Sequence, residues 1–310
     1  MFNGSLGLSQ DSNFVFLGGL ELMSAVEPLI DLVMCVGPRD VNYLMPYSLQ
    51  SCLTNFELLK NVTIVTSAKA EVQSILKQHQ IRSSNVKINI LEDQEVLPPA
   101  LRDWPGWCKQ QFIRLHADKI CETPIVACLS ADTLIFKPLT KRNLFFGPTP
   151  ILFYNRYPST LNHLFYERKR VENVASILRV RPTKSWLLGD FIMDFMLFES
   201  SHLYKLRRYL EAIYGKEPFL QILPKQCDTE EQRVTFGEWT LYAVFLLDVL
   251  NIKVPVQNSM NRFIAQVHSS KDFAGFHFDA HVVHFVAKTF DIDRILTELK
   301  RIQRPMDPDR

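Results

Sequence analysis

The stretch Ile30-Asp-Leu-Val-Met-Cys-Val36, which ends at Gly37-Pro38, indicates the fold of the first half of the chain. A short apolar run that stops at a turn dipeptide is typical of a strand buried inside a sheet. Further apolar runs predict three more strands: 62–66, 86–90 and 124–129. Helical spacing predicts helices between the strands: 42–59, 69–79 and 107–120. This order predicts a doubly wound α/β fold with a mostly parallel sheet, whose ligands bind at the carboxyl ends of the strands.

The second half of the chain has a different pattern, which begins after Gly147-Pro-Thr-Pro150. Helical spacing predicts three helices there: 160–178, 201–214 and 238–250. Short strands are expected near 192–198 and 282–286. The sequence contains no repeat, low-complexity tract or flexible linker that would separate this half. We therefore expect it to pack on the first half as an elaboration.

The composition excludes several classes of protein. Of the 310 residues, 47% are apolar and 22% are charged, so the chain can bury a large core and is not disordered. The 35 basic and 33 acidic residues leave a net charge of +2, so no nucleic-acid partner is expected. The first strand is not followed by Gly-x-Gly-x-x-Gly, and the sequence has no Walker loop, which argues against dinucleotide-binding and P-loop folds.

The cysteines and the start of the chain bear on the compartment. The six cysteines are scattered without a C-x-x-C pair, which favours buried, reduced thiols over a disulfide framework. The N-terminus lacks the basic and apolar segments of a secretory signal. Acidic residues interrupt the apolar stretch 14–36, so it is not expected to cross a bilayer. These features predict a cytoplasmic location.

A lone carboxylate stands at the end of the fourth predicted strand, in Leu129-Ser130-Ala-Asp132-Thr-Leu-Ile-Phe-Lys-Pro138. This segment resembles the Asp-x-Asp region of GT-A glycosyltransferases. Two other segments resemble parts of the DUF6492 group of predicted bacterial GT-A transferases: Gly106-Trp107-Cys-Lys-Gln110-Gln111-Phe-Ile-Arg114 and Gly237-Glu238-Trp239-Thr-Leu-Tyr242. The resemblance extends over about residues 30 to 290.

The resemblance implies a GT-A fold, in which helices flank a Rossmann-like, mostly parallel central sheet that carries a C-terminal, acceptor-side elaboration. Residues 1–148 would form the nucleotide-sugar-binding half of this single domain, and residues 149–310 the acceptor-binding half. The implied activity is the transfer of a hexose from a nucleotide sugar, with a uridine diphosphate donor expected, to a hydroxyl of a glycan acceptor. Inversion of configuration is expected, and retention stays open because the base rests on one residue.

A divalent metal, Mn²⁺ or Mg²⁺, is the cofactor that the resemblance implies. It would bridge the two phosphates of the donor and act as a Lewis acid, with Asp132 as the expected ligand. Ser130 takes the first acidic position of the family motif, which halves the charge of the motif and leaves a metal-independent site as the alternative. His284 is the expected second ligand, and His281 is its alternative. The two histidines are three residues apart in a predicted strand and should face opposite sides.

Other residues are expected to bind the donor. The segment Ala280-His281-Val-Val-His284-Phe-Val-Ala-Lys288 resembles the C-terminal His…Lys segment of several GT-A families, which implies that Lys288 reaches the diphosphate as a point charge. Ser130 holds the position that contacts ribose or metal in the family. Gln110 and Arg114 share a helix face, from which they would reach the diphosphate or the sugar. Ligands collect where parallel strands end, so the exits of the first two strands supply further candidates: Val36, Gly37, Pro38, Arg39 and Thr66.

An inverting transferase needs a carboxylate that accepts the proton of the acceptor hydroxyl. Glu238 is the first candidate, because it follows Gly237 and begins a predicted helix, as the base does in many inverting GT-A enzymes. A favourable interaction with the helix dipole is the other explanation for an acid at this position. Asp190 is the second candidate. It and Asp194 stand in an apolar segment, where carboxylates are costly unless they are paired or functional.

Two other functions stay open at this point. A sugar-1-phosphate nucleotidyltransferase also has an α/β fold with an acidic strand end, but Gly37-Pro-Arg-Asp40 does not supply its Gly-rich signature. A nucleotide- or glycan-binding protein without activity is the alternative that Ser130 raises. Basic clusters at 166–170 and 300–304 are candidates for peripheral contact with an anionic membrane, with a solvated helix face as the other explanation.

Overall fold

The structure is a computed structural model that describes residues 28–83, 85–155, 161–191, 194–227, 229, 235–258, 263–267, 280–285 and 297. The described helices are α1 (Met45–Asn55), α2 (Lys69–Gln78), α3 (Asp93–Val96), α4 (Gly106–Leu115), α5 (Lys141–Leu144), α6 (Leu161–Ile177), α7 (Lys184–Leu188), α8 (Ser200–Tyr214), α9 (Pro218–Cys227) and α10 (Glu238–Val244). The described strands are β1 (Ile30–Val36), β2 (Leu59–Thr66), β3 (Lys87–Glu92), β4 (Ile125–Ser130), β5 (Thr133–Ile135), β6 (Phe145–Phe146), β7 (Thr149–Pro150), β8 (Leu152–Tyr154), β9 (Phe195–Glu199), β10 (Val256–Asn258), β11 (Ile264–Val267) and β12 (Val282–Phe285).

Five strands form the central sheet, in the order β3-β2-β1-β4-β9. β1 pairs in parallel with β2 and β4, and β2 pairs in parallel with β3. β9, from the second half of the chain, runs antiparallel to β4 at the edge. The prediction of an α/β fold with a mostly parallel sheet flanked by helices is confirmed.

The burial of the first strand explains why its sequence is apolar except for Asp31. Leu32 and Met34 belong to the core on one face of the sheet, together with residues of α1 and α2. Val33 and Cys35 belong to the core on the other face, together with residues of α4 and α8. Because helices cover both faces, every residue of β1 is buried, and no polar alternation is left in its sequence.

A three-stranded sheet, β11-β12-β5, brings the C-terminal part of the chain to the end of β4. β5 follows β4 after a two-residue turn that contains Asp132. β12 runs antiparallel to β5, with His284 opposite Thr133. The N–H of Phe285 donates a hydrogen bond to the carbonyl oxygen of Asp132 (3.0 Å), so the backbone itself holds His284 beside Asp132.

The helix predicted at 238–250 is shorter than expected. The α-helix α10 ends at Val244, and Phe245–Val249 form a π-helix. Asp248 in this π-helix accepts hydrogen bonds from the backbone N–H groups of Thr183 (3.0 Å) and Lys184 (2.9 Å), at the start of α7. The segment is therefore irregular where it anchors α7, which the apolar spacing alone does not reveal.

Cys108 is disulfide-bonded, so the expectation that the cysteines are reduced is wrong for this residue. Cys35, Cys52, Cys121 and Cys128 are free thiols. In the described part of the chain, no helix has both the length and the apolar character that crossing a bilayer requires.

Candidate functional site

Two adjoining cavities lie at the carboxyl edge of the central sheet, where the topology predicts a ligand site. The edge cavity, about 200 Å³, is lined by residues 36–38 and 65–67, Asp93, Gly106, Lys109 and Gln110. The central cavity, about 180 Å³, is lined by Asp40, Gln111, Arg114, Ser130, Asp132, Asp194, Glu238 and His284, with Trp107 and Trp239. Cys35 and Gln110 line both cavities, so the two lie next to each other.

A buried ion pair forms one wall of the central cavity. Arg114 Nη1 lies 2.6 Å from Glu238 Oε1, and the side chains are 7% and 1% exposed. The Arg114 guanidinium also donates to Ser130 Oγ (3.1 Å) and lies 4.7 Å from the centre of the Trp239 ring. Burial opposes the charge on Arg114, but Glu238 outweighs this effect and raises the pKa of Arg114 above its usual value.

Glu238 is held from two sides but keeps one oxygen unpaired. Its backbone N–H donates to Gln111 Oε1 (2.7 Å), which fixes the start of α10 against α4. Its Oε1 accepts from Arg114, whereas Oε2 is buried without a hydrogen-bond partner. An unsatisfied buried carboxylate oxygen is costly, which makes Glu238 a candidate functional residue.

Opposite this pair, His284 lies between two carboxylates. His284 Nε2 is 3.4 Å from Asp132 Oδ1, and Nδ1 is 2.8 Å from Asp194 Oδ2. Burial alone would lower the pKa of His284, but Asp194 and Asp132 outweigh it and raise the pKa to about 10. The contact with Asp194 lacks hydrogen-bond geometry, so Nδ1 is a buried polar atom without a hydrogen bond.

The residues at Asp132 fit a divalent metal by their chemistry. A carboxylate is a suitable ligand for Mn²⁺ or Mg²⁺, and a neutral imidazole suits Mn²⁺-like ions. The ring nitrogen of His284 that faces Asp132 is Nε2, 3.4 Å from Oδ1. Among the described residues, no three His, Cys, Asp or Glu side chains form a ready-made metal cluster. Such ions usually take one or two protein ligands and complete their shell with water and substrate phosphates, so a two-residue site is sufficient.

The edge cavity has a different character, because its charges are balanced. Lys109 Nζ and Asp93 Oδ2 form an ion pair at 3.1 Å on its wall. Thr66 Oγ1 accepts a hydrogen bond from the N–H of Ala68 (3.0 Å), which shapes the turn after β2. A Cβ on Gly106 would meet no atom within 4 Å, so the backbone at the start of α4 is open to a ligand.

Asp190 is placed differently from Glu238. It forms an ion pair with Arg170 from α6, and its backbone pairs with that of Asn155. Thr240 Oγ1 lies 3.4 Å from Asp190 Oδ1, and neither of the two cavities described above is lined by Asp190. Nearby, burial and the charge of Asp190 raise the pKa of Glu167 to about 7, against the opposing charge of Arg170.

Most residues that the sequence singled out meet at these cavities. Val36, Gly37, Pro38 and Thr66 line the edge cavity, and Gln110 lines both. Arg114, Ser130, Asp132, Glu238 and His284 line the central cavity. Arg39 is exposed and lines neither, and His281 Nδ1 turns instead to the carbonyl oxygen of Pro138 (3.1 Å). Lys288 lies outside the described residues.

Two further residues of the central cavity, Asp194 and Gln111, have only weak signals in the sequence. Asp194 stands out as an acid in an apolar segment, but its partner His284 is far away in the chain. Gln111 belongs to a quoted motif, yet only the fold shows that it holds the backbone of Glu238.

A third cavity, about 340 Å³, lies on the other side of α4. Phe112 and His116, one helical turn apart, line it, whereas Gln111 and Arg114 of the same helix line the central cavity. Burial lowers the pKa of His116 to about 3, so its ring is neutral, and its Nδ1 donates to the carbonyl oxygen of Phe112 (2.9 Å).

Comparisons with known proteins agree with the sequence resemblance at the level of the family. The model of a protein family described as "Family of unknown function (DUF6492)" matches residues 44–286. A search of curated proteins finds no match. Among solved structures, the chain is similar to mouse xyloside xylosyltransferase 1 in its apo form, with a TM-score of 0.47 and 12% identity. That match covers 84% of this chain and 99% of the other.

Proposed function

This chain belongs to the DUF6492 family, and we propose that it is a glycosyltransferase, which moves a sugar from a nucleotide sugar to a hydroxyl of a glycan acceptor. The observation that carries the proposal is the pair of adjoining cavities at the carboxyl edge of the sheet. The edge cavity has balanced charges and an open backbone, whereas the central cavity has carboxylates beside an arginine and a histidine. A nucleoside diphosphate sugar has corresponding parts in the same order: a nucleoside for the edge cavity, then a diphosphate and a sugar for the central cavity.

We place the nucleoside in the edge cavity and the diphosphate with its sugar in the central cavity. The turns after β1 and β2 (residues 36–38 and 66) would contact the nucleoside, with Asp93 and Lys109 available for its polar edges. Gln110, which lines both cavities, would contact the diphosphate, and Ser130 and Arg114 lie next to it on the central side. A uridine diphosphate donor is our working choice. Lys288 keeps its proposed role at the diphosphate.

We propose that Asp132 and His284 hold a divalent metal, Mn²⁺ or Mg²⁺. Such an ion would supply Lewis-acid stabilisation of the negative charge that develops on the leaving diphosphate. His284 can act as a ligand only in its neutral form, so metal binding has to compete with the proton that the two neighbouring carboxylates favour. A donor site without metal is the alternative, since Ser130 removes one carboxylate from the motif.

Glu238 is our proposed general base in an inverting transfer. A base needs an oxygen that is free to accept the proton of the attacking hydroxyl. Glu238 Oε2 is buried, has no partner and belongs to a residue of the cavity wall, whereas Oε1 is fixed by Arg114. Asp190 then serves to hold α6 against the segment that precedes β9, since it pairs with Arg170 and lines neither cavity.

Thermal unfolding with UDP, GDP, CDP and TDP, each with Mn²⁺ and with a chelator, tests the proposal. A ligand at 100 times its Kd adds about 2.7 kcal/mol to the free energy of unfolding, so the melting temperature should rise by several degrees. We expect the largest shift with UDP and Mn²⁺, and we expect Asp132→Asn to lose the metal-dependent part of it.

Each other outcome has a defined meaning. A shift that survives chelation in the wild type would support the donor site and contradict the metal. A shift with Mn²⁺ alone that no nucleotide increases would contradict the donor site. The absence of any shift with the four nucleotides would contradict the proposed function. A cytoplasmic location stays a prediction in every case.

A further inference from the structure

Helix α4 contributes one row of side chains to the wall of the central cavity: Trp107, Gln111 and Arg114. These residues are three or four positions apart, so they lie on one face of the helix, one turn after another. Gln111 and Arg114 are buried, whereas Trp107, in the first turn, is half-buried. The row therefore runs from the buried end of the cavity, at Arg114, to its more exposed end, at Trp107.

The two tryptophans that line this cavity differ in what covers their rings. Trp239 is 3% exposed, with the Arg114 guanidinium 4.7 Å from its ring centre and Phe198 stacked on it at 5.4 Å. Trp107 packs against the apolar core. In the part of the chain that the structure describes, its side chain makes no hydrogen bond and no contact with another aromatic ring or a cation. Trp107 is therefore an aromatic side chain on a polar wall, with a ring that is left for a ligand.

We propose that Trp107 binds a sugar ring by stacking. The inference rests on the proposed function and adds a residue that holds its substrate. The face of an indole ring is electron-rich, and it suits the C–H groups on the flat, apolar face of a pyranose. The hydroxyl groups project from the edge of such a ring, where amide and carboxylate groups of the cavity wall can bind them.

Two sugar rings have access to this position, that of the donor and that of the acceptor. Trp107 and Arg114 are seven residues apart, which separates their backbones by about 10 Å along the helix. The proposed base, Glu238, contacts Arg114 at the buried end of the row. A ring on Trp107 therefore lies on the open side of the base, which favours the acceptor as its source. The experiment has one arm for each source.

The donor arm compares UDP with UDP-sugars by calorimetric titration of the full chain in the presence of Mn²⁺. The probes are UDP-glucose, UDP-galactose, UDP-N-acetylglucosamine and UDP-xylose, and UDP is the reference because it lacks the sugar. Trp107→Leu removes the aromatic face but keeps an apolar side chain. If the donor ring stacks on Trp107, this variant should weaken the best UDP-sugar by about three- to tenfold. The Kd of UDP should stay unchanged, because Trp107 does not line the edge cavity.

The acceptor arm uses the methyl glycosides of the same four sugars, with UDP and diamagnetic Mg²⁺ present, in saturation-transfer NMR. Saturation of the aromatic protons of the protein should reach the ring C–H protons of at least one glycoside. We expect Trp107→Leu to reduce this transfer by about threefold or more. Trp107→Phe keeps an aromatic face, so it should retain binding in whichever arm responds.

Trp104→Leu is the matched control. Trp104 is also half-buried and packs against the same core, but it lines neither of the two cavities. We expect this variant to behave as the wild type in both arms. A loss that both leucine variants share would come from weakened packing and would overturn the proposal.

The remaining outcomes distinguish the inference from its premise. If UDP does not bind to the wild type, the proposed function fails and the inference fails with it. If UDP binds and Trp107→Leu changes neither arm, the inference alone is overturned, also where no methyl glycoside binds. Weaker binding of UDP itself to Trp107→Leu would overturn it too, because the indole would then contact the nucleotide.

Discussion

Two buried arginine–carboxylate pairs, Arg114–Glu238 and Arg170–Asp190, have the same chemistry but different surroundings. Each carboxylate follows a glycine, and each is almost completely buried. Glu238 lines the central cavity and leaves Oε2 without a partner. Asp190 is enclosed by Arg170, Thr240 and the backbone of Asn155.

Burial and pairing therefore do not by themselves separate the proposed general base, Glu238, from Asp190, to which we assign a structural role. Buried ion pairs often contribute little net stability, because the desolvation of the charges offsets their attraction, yet breaking one is expensive. What distinguishes Glu238 is the oxygen that its arginine does not use. The comparison therefore predicts that Glu238→Gln lowers turnover far more than Asp190→Asn does, whereas the two substitutions affect stability similarly.

The largest effect is expected from Glu238→Gln. The amide cannot accept the proton of the acceptor hydroxyl, and loss of a general base typically costs about 10² to 10⁴ in rate. We expect kcat to fall by this factor while the Kd of the nucleoside diphosphate stays within a few-fold of the wild type. Release of nucleoside diphosphate from the donor, measured with and without acceptor, checks the prediction.

Asp190→Asn is the matched control for that measurement. It also removes a carboxylate from a buried arginine, so any loss of activity from destabilisation alone should appear in both variants. If both reduce kcat equally for the folded enzyme, the special role of Glu238 is refuted.

The second prediction concerns the stability of the Asp190 variant itself. Removal of one partner from a buried pair costs about 3–5 kcal/mol, because it leaves an uncompensated charge. We expect about 3 kcal/mol for Asp190→Asn, since Glu167 is close enough to compensate Arg170 in part. Chemical denaturation gives the free energy of unfolding. A loss below about 1 kcal/mol would mean that the pair is not a structural requirement for the packing of α6.

Much of the fold could be predicted because its signals are local. The run from Ile30 to Val36 forms β1 with the expected bounds, and the alternation of strands and helices gives the parallel sheet. The π-helix Phe245–Val249 could not be predicted, because its apolar residues fit ordinary helical spacing and the contact of Asp248 with the start of α7 joins distant parts of the chain. The disulfide bond at Cys108 also depends on the fold rather than on local spacing.

The sequence predicts which residues form the candidate site, but not which of these residues contact each other. Motifs in the sequence indicate Asp132, His284, Arg114 and Glu238 as candidates, and the fold brings all four to one cavity at the carboxyl edge of the sheet. Arg114 and Glu238 are 124 residues apart, and no sequence rule states that a guanidinium assigned to the diphosphate lies 2.6 Å from the proposed base. Which oxygen of a carboxylate is left free depends on side-chain packing, and this decides the difference between Glu238 and Asp190.

The smallest expected effect is a pH dependence of stability. It arises because Glu167, whose pKa is raised, lies close to the Asp190–Arg170 pair. Burial and Asp190 raise the pKa of Glu167 from 4.5 to about 7, and its Oε2 is buried without a partner. A carboxyl whose pKa is raised by folding stabilises the native state fully below pH 4.5, and this contribution is lost as the pH rises through 7. Relative to Glu167→Gln, the wild type should therefore lose stability between pH 5 and pH 8.

Denaturant unfolding of the two proteins at pH 5, 6, 7 and 8 measures this difference. Because Glu167 is in part exposed, solvent screens the effect, and we predict its direction rather than its size. Glu172→Gln, on an exposed position of the same helix, is the control and should follow the wild type at every pH. In the Asp190→Asn background the difference should shrink, since one cause of the raised pKa is gone. Parallel curves for the wild type and Glu167→Gln would show that Asp190 and Glu167 do not share a buried environment, and the contrast with Glu238 would then rest on the free oxygen alone.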